Sequence, residues 1–190
     1  MIPQIIVVGA AAGGLAALQS LLASLAKEFP APIVLAQHRG RSIDGNALQL
    51  LQRSSRLPLR EPEDKEEIVA GHIYLAPRDY HLLVEKGHLA LSLEAPVHGA
   101  RPSIDLLFES AAEAYAKGCI GVILTGASQD GVQGLAQIKA RGGLIVVQDP
   151  ATAEAPALPQ AALAATEVDR VLPLEQIALF LNGLCPALAR

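Results

Sequence analysis

Tryptophan is missing from this 190-residue sequence, aromatic residues make up only 3% of it, and methionine occurs once. The core therefore has to be built from Leu, Ile, Val and Ala. Cysteine is nearly as scarce: Cys119 and Cys185 stand alone in apolar settings, which excludes a disulfide framework and offers no metal-ligand spacing. Basic charge is also short, with 15 Lys and Arg against 19 Asp and Glu for a net charge of −4, so no basic footprint for nucleic acid exists. No apolar run reaches the roughly 18 residues of a membrane span, and the N-terminus lacks the basic region of a signal peptide. These shortages point to a cytoplasmic chain with reduced thiols, no membrane insertion and no metal.

Hydrophobic residues are 51% and charged residues 18% of the chain, a globular composition. The length suits one domain spanning residues 1–190, large enough to bury a substantial core. Its organising stretch is IIVVGAAAGGL, Ile5 to Leu15. Ile5 to Val8 reads as a buried strand of a parallel sheet. From Gly14, Leu15, Leu18, Leu21, Leu22 and Leu25 recur at helical spacing. The tight turn between strand and helix exposes backbone N–H groups at a helix N-terminus, where an anion or oxyanion can sit. A dinucleotide cradle fits poorly, because the glycines fall as G-x-x-x-G-G and the second strand, Ile33 to Ala36, ends in Gln37-His38-Arg39 rather than an acidic residue. A nucleophile turn would have its reactive side chain among Ala10, Ala11 and Ala12, none of which can react.

Further along, Asp44 suits the N-cap of a helix reaching about Ser54. Residues 57 to 94 break into short extended pieces at Leu57 to Leu59, Ile68-Val69, His72 to Leu75, Leu82 to Glu85 and Leu89 to Leu93, with Lys86-Gly87 as a hairpin turn. The acidic run Glu61 to Glu67 reads as a solvated loop. Ser103 is the N-cap of a helix with Asp105 in its first turn, ended by Gly118. Cys119 to Leu124 is the strongest strand signal, followed by TGASQDG and a helix from about Val132 to Ala140. Leu144 to Val147 is another buried strand, and an amphipathic helix covers Glu175 to Leu184.

This alternation predicts a three-layer α/β/α fold: a doubly wound, mostly parallel sheet with an antiparallel hairpin. If the strand at Cys119 to Leu124 lies beside the first across a reversal of strand order, the turns GAAAGG, QHRGR and TGASQDG meet at one switch point. A nucleophile position, a histidine and an aspartate would then share a cleft, as acyl transfer through a triad requires.

Several motifs in this order identify a resemblance. VVGAAAGG, AQH, IYLAPRDYH, RPSIDLLFESAA, GVILTGASQDGVQGL and VVQDPATAEAPALP together resemble the catalytic domain of CheB-type protein-glutamate methylesterases, almost end to end and without the family's receiver domain. The resemblance implies a hydrolase that removes methyl groups from glutamyl esters on the cytoplasmic helices of chemoreceptors, and in some members deamidates receptor glutamines, with no cofactor. It places His38 and Asp130 in a Ser-His-Asp triad and the backbone at Ala12 and Ala127 at the oxyanion. Arg101 and Arg39 become candidates for the substrate cleft.

The serine does not carry over. The family turn reads G-A-S-x-G-G, and Ala11 occupies the nucleophile position. In a dismantled serine protease, losing the serine costs about 10⁶ in turnover, so the chain as it stands is expected to be inactive. An introduced Ser→Ala change and a natural pseudoenzyme that binds receptors without turnover both fit. Arg39-Gly40 and Ala155-Pro156-Ala157-Leu158-Pro159 depart from the family pattern and favour natural divergence, whereas the retained His38 and Asp130 favour recent loss. Ser128 is a third candidate, as a displaced nucleophile, against its simpler role as a cap.

Overall fold

In the computed structural model, residues 3–38 and 46–185 are described. The first strand, β1 (Ile5–Ala10), leads into α1 (Gly14–Ala23); β2 (Ile33–Gln37), α2 (Ala47–Ser54), β3 (Leu59–Arg60) and β4 (Ile73–Leu75) follow. A hairpin of β5 (His81–Glu85) and β6 (His88–Ser92) precedes α3 (Ile104–Tyr115), β7 (Cys119–Ile123), α4 (Val132–Ala140) and β8 (Leu144–Gln148). The last elements are α5 (Ala157–Ala165), β9 (Arg170–Leu172) and α6 (Leu174–Leu184). Seven strands form one sheet in the order β3-β4-β2-β1-β7-β8-β9, with every pairing parallel, while β5 and β6 pair antiparallel by themselves.

Alternation along the central strands divides the core. Ile6 and Val8 point to one face with Ile33, Leu35, Val122 and Val146, and are covered by Leu18, Leu21 and Leu22 of α1, Leu51 of α2 and Ile177 and Leu181 of α6. Ile5 and Val7 point to the other with Val34, Ile123 and Ile145, beneath Leu107 and Phe108 of α3, Leu135 and Ile138 of α4, Leu158 of α5 and the hairpin's Leu82 and Leu89. Each such side chain contributes about 1.5–3 kcal/mol when fully buried. Small aliphatic residues suffice because both faces of the sheet are covered.

Helix ends follow local chemistry. Ser103 caps α3, its Oγ accepting from the Leu106 N–H at 3.3 Å. The end of α4 is a Schellman turn: Gly142, at φ +82°, donates to the Lys139 carbonyl and Gly143 to that of Ile138. Three details differ from the sequence reading. The long helix stops at Tyr115, and a short 3-10 turn, Ala116–Gly118, completes the descent to Gly118. Ile68-Val69 forms no strand: the Ile68 N–H pairs with the Gly87 carbonyl (2.9 Å), but the Val69 N–H is taken by the Tyr74 hydroxyl (2.9 Å), which ends the pairing there. The second helix begins at Ala47 behind Asn46; Asp44 lies outside the described residues.

Helices α3 and α4 cross at Gly134, where a Cβ would lie 2.6 Å from Phe108 Cβ and 2.8 Å from the Asp105 carbonyl oxygen. Helix propensity alone would make Gly134→Ala stabilising by about 1 kcal/mol. The expected outcome is the reverse, a loss of about 1–3 kcal/mol from overpacking, read as a lower urea midpoint.

Candidate active site

The sheet's order reverses between β1 and β7: the chain leaves β1 for β2 on one side and returns to β7 on the other. Three turns therefore converge above the carboxyl ends of these strands. The Ala11 N–H donates to the Thr125 carbonyl (3.0 Å), and the His38 N–H to the Ala10 carbonyl (3.0 Å). Gly126 lies against Ala11, close enough that a Cβ on it would meet the Ala11 Cβ at 3.0 Å. The turns after β1, β2 and β7 thus bring Ala11, His38 and the loop carrying Asp130 to one place.

Asp130 is wholly buried, and four groups point at its carboxylate. His38 Nε2 lies 2.7 Å from Oδ2, which also accepts from the Ile104 N–H at 2.7 Å. Oδ1 accepts from Ser103 Oγ at 2.8 Å and from the Asp105 N–H at 3.0 Å. Burial opposes the charge most strongly, yet the hydrogen bonds from His38, Asp105, Ile104 and Ser103 together hold the Asp130 carboxyl below its ordinary range. An ionised Asp130 is acceptor-only, so His38 Nε2 carries a proton, and in the neutral imidazole Nδ1 is the nitrogen with the lone pair.

Asp105 mirrors this arrangement. Its Oδ1 accepts from the Gly134 N–H at 2.8 Å in the first turn of α4, while Asp130, just before α4, receives the N–H groups of α3. Each helix start is capped by a carboxylate from the other. Asp105 Oδ2, however, is buried without a hydrogen bond, with His98 Nε2 3.6 Å away. Burial, assisted by the Asp130 charge and resisted by the Gly134 bond, pushes the Asp105 carboxyl up.

Two backbone N–H groups stand in the turns that follow β1 and β7. Ala12 and Ala127 are exposed, and among the described residues no protein acceptor meets either backbone N–H. Their loops are pinned together by the buried Thr125: its Oγ1 donates to the Ala12 carbonyl (3.0 Å) and accepts from the Ala155 N–H (2.8 Å). Gln148 Oε1 in turn holds the Thr125 N–H at 2.9 Å. Ser128 Oγ accepts from the Asp130 N–H at 3.0 Å, which occupies it as a turn cap. Arg101 Nη1 donates to the carbonyls of Leu93 and Glu94, tying down the chain after β6, and Arg39 lies outside the described residues. Among the described residues no cluster of three or more His, Cys, Asp or Glu could hold a metal.

Sequence reading overlooked Gln37, Thr125 and Gln148 as parts of the site. Each is a polar residue at the end of a buried strand or within two residues of it, and that position is the signal that would have found them.

A family model described as CheB methylesterase matches residues 6–181. A Leptospira interrogans protein, provisionally named protein-glutamate methylesterase/protein-glutamine glutaminase, is 49% identical over 176 residues, covering 92% of this chain and 91% of that protein. Protein-glutamate methylesterase/protein-glutamine glutaminase 2 of Anaeromyxobacter dehalogenans is 39% identical over 95% of this chain, which spans 53% of that longer relative. The crystal structure of the Thermotoga maritima CheB methylesterase catalytic domain matches with a TM-score of 0.90 at 33% identity, over 97% of this chain and all of that one.

The two capping carboxylates should respond oppositely to substitution. Asp130 is ionised more readily folded than unfolded, so its contribution is present above about pH 4 and fades as pH falls through its lowered value. Asp130→Asn is expected to cost about 2–4 kcal/mol at pH 7, a gap that narrows in acid. Asp105 is harder to ionise folded than unfolded, so its charge destabilises increasingly as pH rises. Asp105→Asn, which keeps an acceptor for Gly134, should therefore gain stability relative to the unchanged chain as pH rises above about 4, the ordinary carboxyl value, and hold that gain once the raised value is passed. Urea unfolding across pH checks both.

Proposed function

This chain belongs to the CheB methylesterase family, and we propose that its cleft is a protein-glutamate methylesterase site for methylated glutamates on chemoreceptor cytoplasmic helices, lacking one oxygen at Ala11. The observation that carries this reading is the His38–Asp130 pair, at 2.7 Å and fully satisfied on the aspartate side, standing next to the Ala11 turn. With a hydroxyl on residue 11, His38 Nδ1 would take its proton while the oxygen attacks the glutamyl ester carbonyl. The N–H groups of Ala12 and Ala127 would bear the oxyanion. The proton passes from His38 to the departing methanol, and water then hydrolyses the acyl-enzyme by the same base. Glutamine deamidation follows the same course with ammonia leaving. Asp130 fixes the ring's orientation and supports its positive charge while remaining ionised.

As the chain stands, the methyl group of Ala11 has nothing to donate, and turnover is expected to be lower by about 10⁶. That residue favours a second reading, in which the cleft holds receptor helices without hydrolysing them. No described helix is long and apolar enough to cross a membrane.

The two readings separate on methanol release from a methylated receptor fragment. Ala11→Ser is expected to raise the rate by several orders of magnitude, and adding His38→Ala to return it to background. A folded Ala11→Ser protein that binds the fragment yet releases no methanol would instead favour the non-catalytic binder.

A further inference from the structure

The β1–β2 ladder ends at the pair Ala10 and Gln37, followed by one last bond from the His38 N–H to the Ala10 carbonyl. Ala11 and His38 are the next residue on each strand, past the regular pairing. Their relative placement matters more than that of any other two residues in the cleft, since one stands at the nucleophile position and the other is the base. A single side chain bridges them. Gln37 Nε2 donates to the Ala11 carbonyl at 2.9 Å and to the His38 carbonyl at 2.7 Å. Its carboxamide thus continues the strand pairing for one more step, using a side chain where the backbone ladder has run out.

The orientation of that carboxamide follows from its partners. Two carbonyl oxygens can be met only by the NH₂ end, so Oε1 points the other way, where it is buried without a partner. Gln37 is only 6% exposed, so leaving Oε1 unpaired carries a real cost. The chain also keeps the space around it clear. Gly14, the first residue of α1, would place a Cβ 2.1 Å from Oε1 and 2.7 Å from Ala10 Cβ. The glycine at the helix start and the glutamine at the strand end are therefore one device.

We propose that Gln37 is a positioning residue that sets the distance between residue 11 and the His38 imidazole, through the two carbonyls it holds. Its kinetic consequence rests on the reading of the cleft as an esterase site; its structural consequence does not. A displacement of about 1 Å at such a pair costs roughly 10²-fold in rate, although neither carbonyl touches substrate.

Gln37→Met keeps the side chain's length and removes both donors. In the chain with Ala11 unchanged, the low-field ring-proton signal of His38 Nε2–H bound to Asp130 should broaden or disappear in the folded protein. In the Ala11→Ser background, Gln37→Met should lower kcat by about 10²-fold with KM nearly unchanged. A purely stabilising role would lower the unfolding midpoint and leave both readouts intact, and either readout intact in folded protein overturns the proposal. If Ala11→Ser restores no turnover, the esterase reading fails and the ring signal alone decides the role of Gln37. If Gln37→Met does not fold, Gly14→Ala, which crowds Oε1 from the other side, is expected to weaken the same signal, and an unaltered signal there overturns the proposal.

Discussion

A single buried anion holds this cleft together. Asp130 lies with no exposed surface where the starts of two helices meet, and its stability there depends on having every lone pair engaged by a donor. Three of the four donors belong to the first turn of α3 and its cap; only the fourth, His38, faces the cleft. Ser103 illustrates how far the arrangement reaches. Its Oγ donates to Asp130 while accepting from Leu106, and its N–H donates to Nδ1 of the buried His81, whose Nε2 reaches the Ala95 carbonyl (3.0 Å). The antiparallel hairpin is thus linked through hydrogen bonds to Asp130.

This dependence explains how a cleft without a nucleophile can keep the rest of its machinery. Asp130 satisfies α3 as a cap, and Asp105 does the same for α4. Removing either changes the packing of two helices that cover one face of the sheet, whatever happens at residue 11. By contrast Ala11 touches nothing that a serine methylene would not also touch; its backbone bonds to Thr125, Gly14 and Gln37 are independent of its side chain. The fold therefore ties Asp130 to stability through α3, while residue 11 is held by its backbone alone.

Much of the architecture was legible in the sequence for definite reasons. Ile5 to Val8 and Cys119 to Leu124 are short β-branched runs bounded by glycine, and both lie in the centre of the sheet. Gly142-Gly143 forecast the end of α4, and Ser103 the start of α3. The reversal between β1 and β7 stood in the sequence only as the condition for three polar turns to meet, and the observed strand order fulfils it. What stayed hidden was cooperative. Nothing local marks Asp105 as the cap of a helix 29 residues away, or Tyr74 as the acceptor and donor that engages Val69 and Glu67. Gln37 was visible only as part of a motif, because its task depends on two carbonyls brought together by tertiary structure.

The central claim is that an esterase's base and its orienting carboxylate are assembled in this chain despite Ala11. The most direct measurement is the ¹⁵N chemical-shift pattern of the His38 ring in the unaltered protein, read on the neutral imidazole. The account predicts a protonated Nε2 and an Nδ1 with a free lone pair, with the pattern lost in Asp130→Asn. A ring protonated at Nδ1 instead, or one averaging between tautomers as exposed histidines do, would contradict it.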